Sequence, residues 1–186
     1  MDTAIATGQS TFIIVRPESE AYSSLFKLSE ETAHVADGTP IIDLHLTVQA
    51  IRHVDDFDAL KKRLEEYART LKPFEIMVGN IARMNVNNQQ GRLWLMAERN
   101  PALESMYNEL GKIACDLGYE SYPYKSQNWL PHIKIVDLPE DRSTRIKDPT
   151  FGAHEPIAFK VSRFEWTVQT ASEHWDLLQQ FPFQEQ

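Results

Sequence analysis

The segment "IIDLHLTVQA", residues 41–50, sets one histidine and one threonine in an otherwise apolar run. Read as a strand, it sends alternate side chains to opposite faces, so His45 and Thr47 share one face and Leu44 and Leu46 the other. The leucine face suits a core. The polar pair must then look into a wetted space, and a histidine held there invites proton-transfer chemistry.

A second segment repeats the arrangement. In "PHIKI", His132 and Lys134 stand two apart on a short apolar strand, opposite Ile133 and Ile135. Each motif follows a helical pattern, and each half of the chain supplies strand–helix–strand material. Upstream of the first motif, "STFIIVRP" (10–17) reads as a strand ended by Pro17. "ESEAYSSLFKLSEETAH" spaces Tyr22, Leu25, Phe26 and Ser29 as a helix does. Downstream, Asp55 is a candidate N-cap for a helix carrying Phe57, Leu60, Leu64, Tyr67 and Leu71. Strands are expected at 74–84 and 91–99. Asn100 and Pro101 open a further helix, with a stripe of Leu103, Met106, Tyr107, Leu110, Ile113 and Leu117. Strong alternation over 157–170 predicts one strand with Phe164, Trp166 and Val168 on one face, and 174–183 reads as a closing strand. Helices and strands mix without a regular βα repeat, which points to an α+β fold.

Composition narrows the function. The 186 residues suit one domain, with residues 1–9 as a loose tail and 10–186 as a single two-lobed unit. Acids outnumber Lys and Arg by 27 to 19, for a formal charge of −8. That balance argues against a grip on long duplex nucleic acid and leaves room for a small anionic ligand. No run approaches the roughly 18 apolar residues of a membrane span, and no secretory signal is legible at the N-terminus. The single cysteine, Cys115, rules out an intramolecular disulfide and a cysteine-based metal cluster. A cytoplasmic monomer is the expectation.

Two histidines with two donors are what metal-free phosphodiester chemistry requires. One imidazole takes a proton from the attacking oxygen and a second gives one to the departing oxygen. Donors hold the non-bridging oxygens as charge develops, a task suited to the Thr47 hydroxyl and the Lys134 ammonium. His34, His53, His154 and His174 show no metal-ligand spacing, and Gly-rich phosphate loops are absent, so neither a metal nor a cofactor is called for. Tyr122, Tyr124 and Trp129, with Lys125 among them, lie just ahead of the second motif. They are either a stacking platform for a nucleobase or aromatics packed on a core edge. Trp94 and Trp166, in alternating strands, read as core. Arg142, Arg145 and Lys147 read as a solvated charged loop.

With these residues in place, the chain resembles the two-histidine (2H) phosphoesterases, the superfamily that includes 2'-5' RNA ligase-like proteins and cyclic phosphodiesterases. "HLT" matches the family's first His-x-Thr/Ser motif. "PHIKI" matches the second at its histidine but carries Lys134 where the family has Thr or Ser. The likeness runs over roughly residues 10 to 183 in element order. It implies two pseudo-twofold lobes whose antiparallel sheets line a central cleft, with helices outside. It further implies metal-independent cleavage of a 2',3'-cyclic phosphate or 2'-5' phosphodiester in a nucleotide or RNA end. His45 and His132 would act as the acid–base pair, with Thr47 and Lys134 on the phosphate. The alternative is a module that binds a nucleotide or RNA end in the same cleft without turnover.

Overall fold

The structure, a computed structural model, describes residues 9–86, 90–122, 129–139, 155–171 and 174–184. In chain order these form β1 (Gln9–Val15), α1 (Ser19–Ala36), β2 (Thr39–Pro40), β3 (Leu46–Val54), α2 (Phe57–Ala68), β4 (Phe74–Val86) and β5 (Gln90–Ala97). Then come α3 (Pro101–Asp116), β6 (Glu120–Ser121), β7 (His132–Asp137), β8 (Ile157–Val161), β9 (Arg163–Ala171) and β10 (His174–Pro182). The strands build one antiparallel sheet in the order β10-β9-β1-β3-β7-β5-β4-β8, with β2 added to β7 and β6 to β3. Four strands therefore lie on each side of the β3–β7 seam, and the fold is α+β.

Alternation and helical spacing explain most of these elements. Leu60 and Leu64 of α2 and Leu103, Met106, Leu110 and Ala114 of α3 are buried at the intervals that put them on one helix face. They join Leu25 and Ala33 of α1 and the inward residues of the strands in one core. Asn100 caps α3 as expected, its side chain accepting from Ala102 N and Leu103 N. The cap of α2 is Asp56 rather than Asp55: its carboxylate accepts from Ala59 N at 2.9 Å. Either acid satisfies the local pattern, and the start of the helix at Phe57 puts Asp56 at the cap.

Two expectations change. The run 157–170 is not one strand but β8 and β9, separated by Ser162. β8 pairs with β4 at one end of the sheet, while β9 lies between β1 and β10 at the other. A continuous alternating pattern carries no information on which neighbours it will meet. The strand bearing the first motif begins at Leu46, not Ile41, and extends to Val54. Residues 41–45 form an irregular lead-in, so His45 sits at the strand's mouth.

The seam itself has one ladder pair, Leu46 opposite Ile133, both fully buried. Flanking contacts reinforce it. β2 from the first half pairs with β7, and β6 from the second half pairs with β3. Gly38, at the turn from α1 into β2, lies so close to β7 that a Cβ there would stand 2.5 Å from Val136 Cγ1 and 2.7 Å from the Asp137 carbonyl, which only glycine allows. Ser29, fully buried on α1, donates to the Ile135 carbonyl at 2.5 Å and accepts from Ile41 N at 3.1 Å. One hydroxyl thus ties the approach to the first motif to the strand of the second.

Ser29→Ala would leave a buried N–H and a buried carbonyl without this partner. The expected loss of stability is about 1–3 kcal/mol, read as a lower urea midpoint at unchanged slope.

Candidate active site

His45 and His132 are each held by the same local device. His45 Nδ1 lies 2.9 Å from the carbonyl of Asp43, and His132 Nδ1 lies 2.7 Å from the carbonyl of Leu130. In both cases the acceptor is two residues upstream, in the irregular segment that enters the strand. A carbonyl only accepts, so Nδ1 carries the proton in both rings and Nε2 is the nitrogen left to exchange one. The chain builds this twice, once in each half of the sheet.

The seam brings the two motifs together. Continued one step to either side of the Leu46–Ile133 pair, an antiparallel ladder sets Thr47 toward His132 and His45 toward Lys134. The two histidines are then diagonal neighbours, a relation that corresponds to about 7–8 Å in a regular ladder. The two are close enough for the charge of His45 to add, after burial, to the lowering of the His132 pKa. Their flanking residues Leu44, Leu46, Ile133 and Ile135 are buried, while His45, Thr47, His132 and Lys134 are only partly covered.

The surroundings of the two rings differ. Trp94 of β5 stacks on His132 with ring centroids 3.5 Å apart and planes 7° from parallel. Burial pushes the His132 pKa below the usual histidine value, against an upward pull from its bond to Leu130 O. His45 instead meets the edge of Trp175, at 4.9 Å and 69°. The Asp43 carboxylate lies 3.7 Å from its Nδ1. Arg16 holds that carboxylate in an ion pair and donates through Nε to Glu165 at 2.7 Å. The first histidine therefore has a counter-charge beside it, and the second has an indole over its face.

Lys134 is engaged. Its Nζ lies 2.8 Å from Asp137 Oδ2, and Arg92 Nε approaches the same carboxylate at 3.5 Å. Residues three apart on a regular strand face opposite ways. The register shift between Leu93 and Trp94, which skips Ile135, turns Asp137 onto the Lys134 face. Two cations thus approach one carboxylate.

Of the aromatic loop, Tyr122 is described and is 47% exposed. Tyr124 and Lys125 lie outside the described residues, as do Arg142, Arg145 and Lys147. One face of Trp129 is taken by Tyr107 of α3, at 4.2 Å and 14°, and the ring packs against the core. Trp94 corrects the sequence reading, which set it in the core. It alternates with the buried Leu93 and Leu95, and that alternation was already a signal for the opposite face. Arg16, Asp43, Trp175 and Asp137 were missed as well. Among the described residues no cluster of three or more His, Cys, Asp or Glu offers a metal site, and no helix is long and apolar enough to cross a membrane.

A curled antiparallel sheet with a motif-borne histidine on each side of its seam is the architecture of the two-histidine phosphoesterases. Residues 27–173 match the 2'-5' RNA ligase superfamily, and the chain belongs to that family. Among solved structures, Escherichia coli LigT complexed with NADP+ superposes with a TM-score of 0.71 at 16% identity, over 95% of this chain and 98% of that one. LigT complexed with 3'-AMP gives 0.69 at 18%, over 96% and 99%. A Thermus thermophilus protein gives 0.61 at 16%, over 94% and 98%. At these identities the likeness is one of fold. No curated protein matches the sequence.

Because burial is the main cause of the lowered His132 pKa, Trp94→Ala should raise it toward the ordinary value. Histidine titration followed by NMR in the two proteins checks this, and an unmoved midpoint would show that the indole is not what dehydrates the ring.

Proposed function

We propose that the protein is a metal-independent phosphodiesterase that opens a 2',3'-cyclic phosphate or cleaves a 2'-5' phosphodiester at a nucleotide or RNA end. The observation that carries the reading is the matched pair of imidazoles, each with Nδ1 committed to a backbone carbonyl two residues upstream, which leaves proton exchange to Nε2. Family membership supports the reaction class, and the LigT complex with 3'-AMP makes a nucleotide a reasonable ligand for this cleft.

The asymmetry of the two rings supports a division of labour. His132, neutral to lower pH than an ordinary histidine, is suited to be the base in hydrolysis. Its Nε2 takes a proton as water attacks phosphorus. His45, with Asp43 as counter-charge, is suited to be the acid. Its Nε2 gives a proton to the ring oxygen as the P–O bond breaks, and the product is a phosphomonoester. Thr47 and Lys134 would hold the non-bridging oxygens. The Asp137 carboxylate fixes where the Lys134 ammonium stands, which answers the length and looseness of a lysine at a threonine position.

A second reading, a cleft that binds a nucleotide end without turnover, draws on that same ion pair, since a neutralised lysine is a weaker oxyanion ligand. Incubation with nucleoside 2',3'-cyclic monophosphates and a 2'-5'-linked oligoadenylate in EDTA separates the two. For the enzyme, His45→Ala and His132→Ala should each lower turnover by about 10²–10⁴-fold with folding intact. Ligand affinity without turnover at any pH would favour the binder.

The pH profile carries a further expectation. Loss of the base on the acidic side should follow His132, so that limb should fall below pH ~6.5, the unperturbed histidine value. Trp94→Ala should shift it upward.

A further inference from the structure

The cleft does not end at the two histidines. Along β3, away from His45, lies a cavity of about 320 Å³ lined by Ser10, Phe12, Ala50, Arg52, His53 and Tyr122. Thr47 and Ala50 are three residues apart and would face opposite sides of a regular strand. A register shift, Ile13 opposite Gln49 but Ile14 opposite Thr47, absorbs Val48 as an extra residue and restores both to one face. Arg52 follows on that face two residues beyond Ala50. At ~3.3 Å per residue, the cavity begins about 10 Å from Thr47.

The surface between the two is aromatic and continuous. His45 meets the edge of Trp175 at 4.9 Å, and Trp175 meets Phe12 at 4.7 Å and 85°. Phe12 stands opposite Ala50 across the β1–β3 ladder. On the other edge of β3, Tyr122 N donates to the Ala50 carbonyl at 3.2 Å, which seats the half-exposed phenol at the cavity wall.

The polar part is cationic. None of the six lining residues carries a carboxylate, and the exposed side chains of Arg52 and His53 stand at the wall. Glu120 is the nearby acid: it opposes Arg52 in the β3–β6 ladder and lies 4.0 Å from His53 Nε2 at the exposed edge. His53 has φ 57°, left-handed for a non-glycine residue inside a strand. A second register shift, between Gln9 and Thr11, falls at the same place. This strained bulge is where the strand turns its two basic side chains, and strain of this kind gathers at ligand sites.

An aromatic wall with a cation beside it, roughly one nucleotide's length from the reacting centre, has the chemistry for a stacked base and a phosphate. We propose that this cavity is a second nucleotide subsite, in which Tyr122 and Phe12 receive the base and Arg52 the phosphate of the residue next to the reacting one. The preferred substrate is then an oligonucleotide end rather than a mononucleotide. This rests on the phosphodiesterase reading for what occupies the dyad, but not for whether the dyad turns it over.

The test is binding of a labelled trinucleotide 3'-phosphate and a labelled mononucleotide 3'-phosphate, read by fluorescence anisotropy, alongside turnover of the corresponding cyclic phosphates. The trinucleotide should bind about tenfold or more tightly. Tyr122→Ala and Arg52→Ala should each remove most of that advantage and leave mononucleotide affinity unchanged. Equal affinity for the two lengths, or an advantage intact in both variants, overturns the subsite. A length advantage lost in the variants, with no turnover of any substrate, keeps the subsite and removes the phosphodiesterase reading. Turnover of cyclic mononucleotides without a length advantage does the reverse.

Discussion

Leu46 opposite Ile133 is the ladder pair at which β3 meets β7, and the arrangement of the site depends on its register. A slip of one residue would send every side chain of the slipped strand to the other face, burying its imidazole and exposing Leu46 or Ile133. A single pair would be a weak guarantee. The register is held instead by what surrounds it: the exchange of β2 and β6 across the seam, the close approach at Gly38, and the Ser29 hydroxyl bonded to both motif segments. The hydrophobic core supplies the gross stability, while a buried hydroxyl and a glycine supply the alignment.

Around that seam the fold repeats itself in backbone but not in environment. Each histidine is pinned by the carbonyl two residues upstream. One ring then lies under an indole face, and the other stands beside an acid held by an arginine. In the proposed reaction, two identical tautomers in two unlike settings would be the starting condition for an acid and a base that do not compete for the same role. The same economy extends to charge. In a chain of net charge −8, basic side chains gather at two places, Lys134 and Arg92 around Asp137 and Arg52 with His53 at the cavity wall.

Much of this was legible along the chain. Period-two alternation is a local property, so His45 with Thr47 and His132 with Lys134 could be assigned to shared faces before any neighbour was known. The helix stripes and the Asn100 cap are local in the same sense. The family motif added the expectation that the two faces would meet. Trp94 was legible and misread: its buried neighbours Leu93 and Leu95 imply that it points away from them. Tyr122 was singled out as an aromatic near the second motif, but nothing in its spelling separated it from Trp129, whose ring the fold sets against Tyr107.

What the sequence determined by itself was the inventory: which residues could do chemistry, which strands and helices would carry them, and which side of each strand they would occupy. The tertiary structure decided the rest, because each remaining feature is a property of pairs. The skipped Ile135 that turns Asp137 toward Lys134, the skipped Val48 that lines Ala50 and Arg52 up with Thr47, and the division of 157–170 between opposite ends of the sheet all depend on which strand lies alongside. A bulge exists only relative to a partner, and a pattern read along one strand contains no term for the strand beside it.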